Sequence, residues 1–129
     1  MCSKRVFKTK TFDRWAKKLI PDQLLCIAAQ EIIQGNFDAD LGGGVCKKRI
    51  ALPGQGKSGS TRTLVAKKHK LAIFFIAGRE KSDPGKDFSA TEEEAAKIVA
   101  KGLQTANEPQ LEQLKQDGIL KEICNAKIN

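Results

Sequence analysis

Tyrosine is absent from this 129-residue chain, histidine and tryptophan occur once each, and aromatic residues make up only 5% of the total. So small an aromatic inventory leaves few platforms for stacking nucleobases, and any nucleic-acid recognition should be led by the backbone. The four cysteines, Cys2, Cys26, Cys46 and Cys124, include no CxxC pair. Their spacing excludes paired metal ligands and reads as free thiols in a reducing compartment. Apolar stretches stay below the roughly 20 residues that cross a bilayer. The N-terminal segment reaches Lys8 and Lys10 before a signal-peptide core can develop. The expected address is therefore cytoplasmic, with no membrane partner.

With 40% hydrophobic and 29% charged residues, the composition is that of a soluble globular protein, and the length suits one domain spanning 1–129. The charge is not evenly spread. Between Gly44 and Lys81 there are ten Lys/Arg and a single acid, Glu80, so this segment alone carries more than the chain's net +8. Residues 1–43 hold seven bases and five acids, and residues 82–129 six bases and nine acids. Cations concentrated in one segment point to a polyanionic partner, most simply nucleic acid.

Hydrophobic periodicity orders the elements. Ser3–Lys8 reads as a short strand. Phe12, Trp15, Ala16 and Leu19 recur at helical spacing until Pro21 interrupts them. Leu24, Leu25, Ala28, Ala29, Ile32 and Ile33 form the stripe of a second helix, which Gly35 terminates in a left-handed conformation. Gly42-Gly43-Gly44 marks the change to strands. Val45–Leu52 alternates, with Cys46, Ile50 and Leu52 on one face and Lys47 and Arg49 on the other. Thr61–Ala66 is the next strand, Lys67–Lys70 a basic turn, and Leu71–Ala77 a central strand buried on both faces. The remainder reads as helical. Ser89 and Glu92 form a capping box, Asn107 or Thr105 caps a last helix, and Gly118 ends it. The expected fold is α+β: a helical hairpin packed on a small antiparallel sheet, with C-terminal helices. The domain core is expected at about 5–105, followed by a helical extension over 106–129.

Ala51–Ser58 (ALPGQGKS) fits the permissive phosphate-loop pattern. A true loop of that kind runs straight into a helix whose N-terminus completes the phosphate site. Here a strand follows, and the later apolar strand has no aspartate for magnesium. The segment reads as a hairpin connection with one lysine, Lys57.

The chemistry-bearing group is cationic. Lys47 and Arg49 share a strand face. Arg62 on the next strand and Arg79 at the exit of the third join them if the hairpins pair in register, with Lys48, Lys57 and Lys81 as a rim. Such a cluster can grip a phosphate backbone, or stabilise charge that builds on a phosphorus under in-line attack. No metal ligand set and no cofactor are called for. Lys48 falls on the otherwise apolar face, where snorkelling along the sheet edge is also an adequate account. Lys67, Lys68 and Lys70 read as a solvated turn, His69 as a surface residue of that turn, and Glu92, Glu93, Glu94, Asp117 and Glu122 as solvated helical surface. Phe12 and Trp15 read as core residues.

Several blocks together resemble RelE-type toxins of bacterial toxin–antitoxin modules, in the HigB-like branch. They are Gly35-Asn36-Phe37, Leu41–Arg49 (LGGGVCKKR), the loop Gly56-Lys57-Ser58-Gly59, Arg62-Thr63, and Phe74–Ser82 (FFIAGREKS). The resemblance covers about residues 5–105 and extends to the Leu-rich tail. It implies a small basic ribonuclease that enters the ribosome and cuts messenger RNA by attack of a 2′-hydroxyl on the adjacent phosphate, without metal or cofactor. It implies that Lys47 and Arg49 hold and polarise that phosphate, that Arg62 binds it, and that Arg79 stands at the leaving oxygen. It also implies a cognate antitoxin, often of helix-turn-helix type, and a toxin–antitoxin hetero-oligomer. The tyrosine that several relatives carry after the last strand is missing, Asp83–Phe88 (DPGKDF) standing there instead, and Thr61 replaces a second tyrosine. The general base is left open among His69, Lys57 and Glu80. That departure keeps two alternatives in view: a ParE-like non-catalytic inhibitor of DNA gyrase, and a passive nucleic-acid-binding module.

Overall fold

The computed structural model describes residues 3–52, 60–80 and 87–127. The chain forms β1 (Ser3–Thr9), α1 (Lys10–Ala16), α2 (Asp22–Ile33), β2 (Ala39–Gly42), β3 (Val45–Ala51), β4 (Ser60–Ala66), β5 (Ala72–Glu80), α3 (Ala90–Gln104), α4 (Glu108–Gln116) and β6 (Leu120–Lys127). The six strands make one sheet in the order β2-β3-β4-β5-β1-β6. The α+β class holds, with a mixed sheet rather than a wholly antiparallel one. The β3-β4-β5 meander is antiparallel because its connections are short, whereas β1 lies parallel to β5. Phe7 and Phe74, opposite one another in that parallel pair, stack with ring centroids 5.4 Å apart.

The helices divide between the two faces. On one, Phe12 and Ala16 of α1 and Leu25, Ala28, Ala29 and Ile32 of α2 pack on Val6, Cys46, Val65, Ile73 and Phe75. On the other, Ala96, Ala100 and Leu103 of α3 and Leu111 of α4 cover Phe7, Val45, Leu64, Phe74 and Ile76. β5 supplies side chains to both cores, which explains its near-continuous apolar sequence. Each large aliphatic side chain buried in this way contributes about 1.5–3 kcal/mol. Local signals set the ends of the helices. Ser89 and Glu92 exchange the two bonds of a capping box, Asn107 and Gln110 do the same, and Gly35 stops α2 at φ +88°.

Three expectations are corrected. Residues 120–127, expected in a helical extension, form β6, which pairs antiparallel with β1. Cys26 and Cys124, expected as free thiols, are joined in a disulfide with Cα atoms 6.3 Å apart, because α2 packs beside β6. Cys46 is free and buried, and burial pushes its thiol up to about 12. His69 is not a surface residue: it is 4% exposed, with Nε2 2.7 Å from the Ala106 carbonyl and Nδ1 accepting from the Leu71 N–H at 2.9 Å. Nε2 therefore carries the proton and donates. No helix is long and apolar enough to cross a membrane among the described residues.

Candidate nucleic-acid interface

The strand register builds the site. Arg49 of β3 stands opposite Arg62 of β4, and Arg62 stands opposite Arg79 of β5. Residues directly opposite in antiparallel pairs project from the same face, with neighbouring strands about 4.8 Å apart. Three guanidinium-bearing positions thus form a ladder across three adjacent strands. Lys47, two residues before Arg49, joins them on the face that α3 covers. A β-bulge between Leu64 and Val65 shifts the β4–β5 register, so that Ala77 and Arg79 share the face of Phe74 and Ile76.

A row of like charges at this spacing is costly unless anions lie near. The segment entering α3 brings them. Lys47 Nζ lies 2.7 Å from Asp87 Oδ2 and 3.5 Å from Glu93 Oε2. Arg79 donates to the Asp87 carbonyl at 2.5 Å, and its guanidinium lies 6.0 Å from the Phe88 ring centroid. Burial alone would raise the Asp87 carboxyl. The Lys47 hydrogen bond, the Phe88 N–H and the charges of Lys47 and Arg62 outweigh it and hold the group below its ordinary value. Arg79 is 7% exposed, whereas Arg49 is open to solvent.

Lys47, Arg49, Arg62 and Arg79 are therefore brought together as the sequence pattern anticipates. Lys48 is not. It lies on the opposite face, 7% exposed, donating to the Asn36 carbonyl at 3.0 Å and pairing with Glu31 at 3.1 Å. Alternation along β3 puts it there, so the rim position is withdrawn. Lys57 and Lys81, the other rim residues, lie outside the described residues, as does most of the phosphate-loop-like segment. β4 follows that segment as a strand, in line with refusing the motif. Thr61 is buried and its hydroxyl donates to the Ile50 carbonyl at 3.0 Å, so it does not stand in for a tyrosine at the row. Glu80 pairs with Thr61 in register and so points to the same far face.

The acids were misread in part. Glu93 reaches the row, and Glu122 binds Arg5 and Lys115 rather than standing free in solvent. Asp87 is the participant that charge counting alone missed. The Ser89 capping box was the available signal, since it fixes where α3 starts and hence which acids face the strands. Among the described residues, no group of three or more His, Cys, Asp or Glu side chains is placed to hold a metal ion.

No curated protein matches the chain significantly. A family model described as the RelE toxin of the RelE / RelB toxin–antitoxin system matches residues 4–123, which take in every element of the row and both layers of helices. The chain belongs to the RelE family and is a toxin of a toxin–antitoxin system.

Proposed function

We propose that this toxin is a ribosome-dependent mRNA endoribonuclease. The observation that carries the reading is the Arg49–Arg62–Arg79 ladder with Lys47 beside it. Four cations converging from three strands suit one phosphodiester, whose non-bridging oxygens gain charge as a 2′-hydroxyl attacks. Lys47 and Arg49 hold and polarise the phosphate, Arg62 binds it, and Arg79 stands at the departing 5′-oxygen. The 2′-oxygen forms a bond to phosphorus, the bond to the 5′-oxygen breaks, and a cyclic phosphate and a 5′-hydroxyl result.

Arginine is a poor proton donor at neutral pH, so charge stabilisation and orientation of the message by the ribosome supply most of the acceleration. His69 takes no part, because both its ring nitrogens are engaged away from the row. The partners of this reading are the ribosome with its message, and a cognate antitoxin of helix-turn-helix type that silences the cationic face.

The test is 5′-end mapping of cellular RNA minutes after induction. New ends inside translated codons are expected with the unaltered protein and are lost in Arg62→Ala and Arg79→Ala at equal protein levels. Growth arrest with supercoiling defects and no new RNA ends would overturn the reading in favour of a gyrase inhibitor.

A further inference from the structure

Two lysines of β1, Lys4 and Lys8, stand on the same face as Val6, the face that α1 and α2 cover. The fold treats them differently. Lys8 is 2% exposed; burial disfavours its charge, but Asp13 at 2.6 Å and Asp22 at 2.8 Å outweigh that cost and hold the ammonium above its ordinary value. Lys4 is half-buried, its Nζ donates to the Lys67 carbonyl at 3.2 Å, and among the described residues no carboxylate pairs with it. Burial, and then the charge of Lys67, hold this ammonium below its ordinary value. A half-buried cation without an opposite charge is costly, and an anion is what the position lacks.

Lys4 borders a cavity of about 370 Å³ between the end of α2 and the sheet. Ile32 and Ile73, both buried, line its base with Ile33 and Phe37. Lys67 forms a side wall; its ammonium lies 5.1 Å from the Phe37 ring centroid and is paired with Asp40 at 3.2 Å. Gly35 stands at the mouth, exposed, and a Cβ there would meet nothing within 4 Å. The negative end of α2 is already answered. The Gly35 and Asn36 N–H groups donate to the Ile32 and Glu31 carbonyls at 3.0 and 2.9 Å, and the Glu31 carboxylate pairs with Lys48 at 3.1 Å. The cavity thus combines an apolar base with one cation that no acid neutralises.

We propose that this cavity binds a small organic carboxylate with an aryl or alkyl body, its apolar part against Ile33, Phe37 and Ile73 and its carboxylate on the Lys4 ammonium. The volume falls within the roughly 300–1,000 Å³ of small-molecule sites, toward the lower end. The apolar walls supply affinity, and the charge-assisted hydrogen bond to Lys4 fixes which end of the ligand faces the strand. The site lies on the α1–α2 face, opposite the arginine ladder, so it goes beyond the nuclease reading and does not depend on it.

The experiment titrates indole-3-acetate, and its neutral counterpart indole-3-acetamide, into the isotope-labelled full-length protein at neutral pH and follows the backbone amide signals. Indole-3-acetate should half-saturate at about 1 mM or below, with shifts centred on Gly35, Phe37 and Lys67. The acetamide should bind at least about tenfold more weakly. Lys4→Gln should lose that preference for the anion, Lys4→Arg should keep it, and Arg62→Ala should bind as the unaltered protein does. Ile33→Trp, which fills the cavity from its side, should weaken both ligands alike; the spectra themselves show that each variant is folded. Several results would overturn the site: no saturable binding in that range, equal affinity for acid and amide, or shifts centred on Arg49 and Arg62. So would a preference for the anion that survives Lys4→Gln, or binding unchanged in Ile33→Trp. None of these results touches the nuclease reading, which RNA cleavage tests separately.

Discussion

Asp87 Oδ2 accepts a hydrogen bond from Lys47 Nζ at 2.7 Å, which places a carboxylate of the chain itself against the Arg49–Arg62–Arg79 ladder. The same residue fastens Arg79 through its carbonyl. An anion from the chain thus answers part of the charge that a phosphate would meet.

Replacing Asp87 with Asn removes that charge but keeps the oxygen that accepts from the Phe88 N–H. The pair is partly open to solvent, with Lys47 17% and Asp87 38% exposed. Its effect is therefore modest: Asp87→Asn should tighten RNA binding about two- to fivefold at low salt, and the gain should fade as salt rises. Fluorescence anisotropy with a labelled RNA checks this. Weaker binding would show that the carboxylate supports the site rather than competing with phosphate.

Gly78 is the tightest point beneath the row. A Cβ there would stand 2.1 Å from Trp15 Cζ3, an overlap that neither the ring nor the strand can absorb. Gly78→Ala should cost about 1–3 kcal/mol and displace Arg79, lowering both the denaturant midpoint and cleavage. In a Trp15→Ala background the same change should cost less, a coupling that a double-mutant cycle reads directly. Additive effects would refute the contact.

These positions illustrate what the sequence conveys. α2, the Ser89 capping box and the β3-β4-β5 meander were legible because each signal is local: a stripe, a cap, an alternation closed by a turn. Alternation also placed Lys47 and Arg49 on one face before the pairing was known. β6 was not legible, since a bulge opposite Val6 and Phe7 breaks its alternation and sends Leu120 and Ala126 to different cores. The parallel β1–β5 pair joins segments that two helices and three strands separate, and no local pattern reports that. His69 looked exposed among lysines, yet the Ala106 carbonyl, 37 residues away, anchors it.

The Cys26–Cys124 link spans a sequence separation of 98 residues and ties α2 to β6. Closing so long a loop restricts the unfolded chain, so reduction should lower stability by about 2–4 kcal/mol. Chemical denaturation with and without dithiothreitol measures the difference, and Cys26→Ser/Cys124→Ser should ignore the reductant. Buried Cys46 should resist iodoacetamide in the native state. A reductant-insensitive midpoint in the unaltered protein would contradict the link.

Glu122 sets part of the acid limit of folding. The Arg5 hydrogen bond lowers its carboxyl; burial opposes this, Lys115 assists, and the result is about 2 against an ordinary 4.5. A carboxyl depressed in the folded state contributes stability above its unfolded value and loses it as pH falls through the folded one. Stability should therefore decline as pH drops from about 4.5 toward 2. Glu122→Gln should be less stable at neutral pH and show a flatter acid limb. Identical pH profiles would remove Arg5–Glu122 from the account.

The central claim is that Lys47, Arg49, Arg62 and Arg79 surround one phosphodiester attacked by its neighbouring 2′-hydroxyl. Purified protein acting on programmed ribosomes, with message carrying a single 2′-deoxy nucleotide at the mapped cut, tests it most directly. The prediction is loss of cleavage at that position, with 5′-hydroxyl ends on the unmodified message and no cutting by Arg62→Ala. Equal cleavage of the deoxy-substituted and unmodified messages would contradict it.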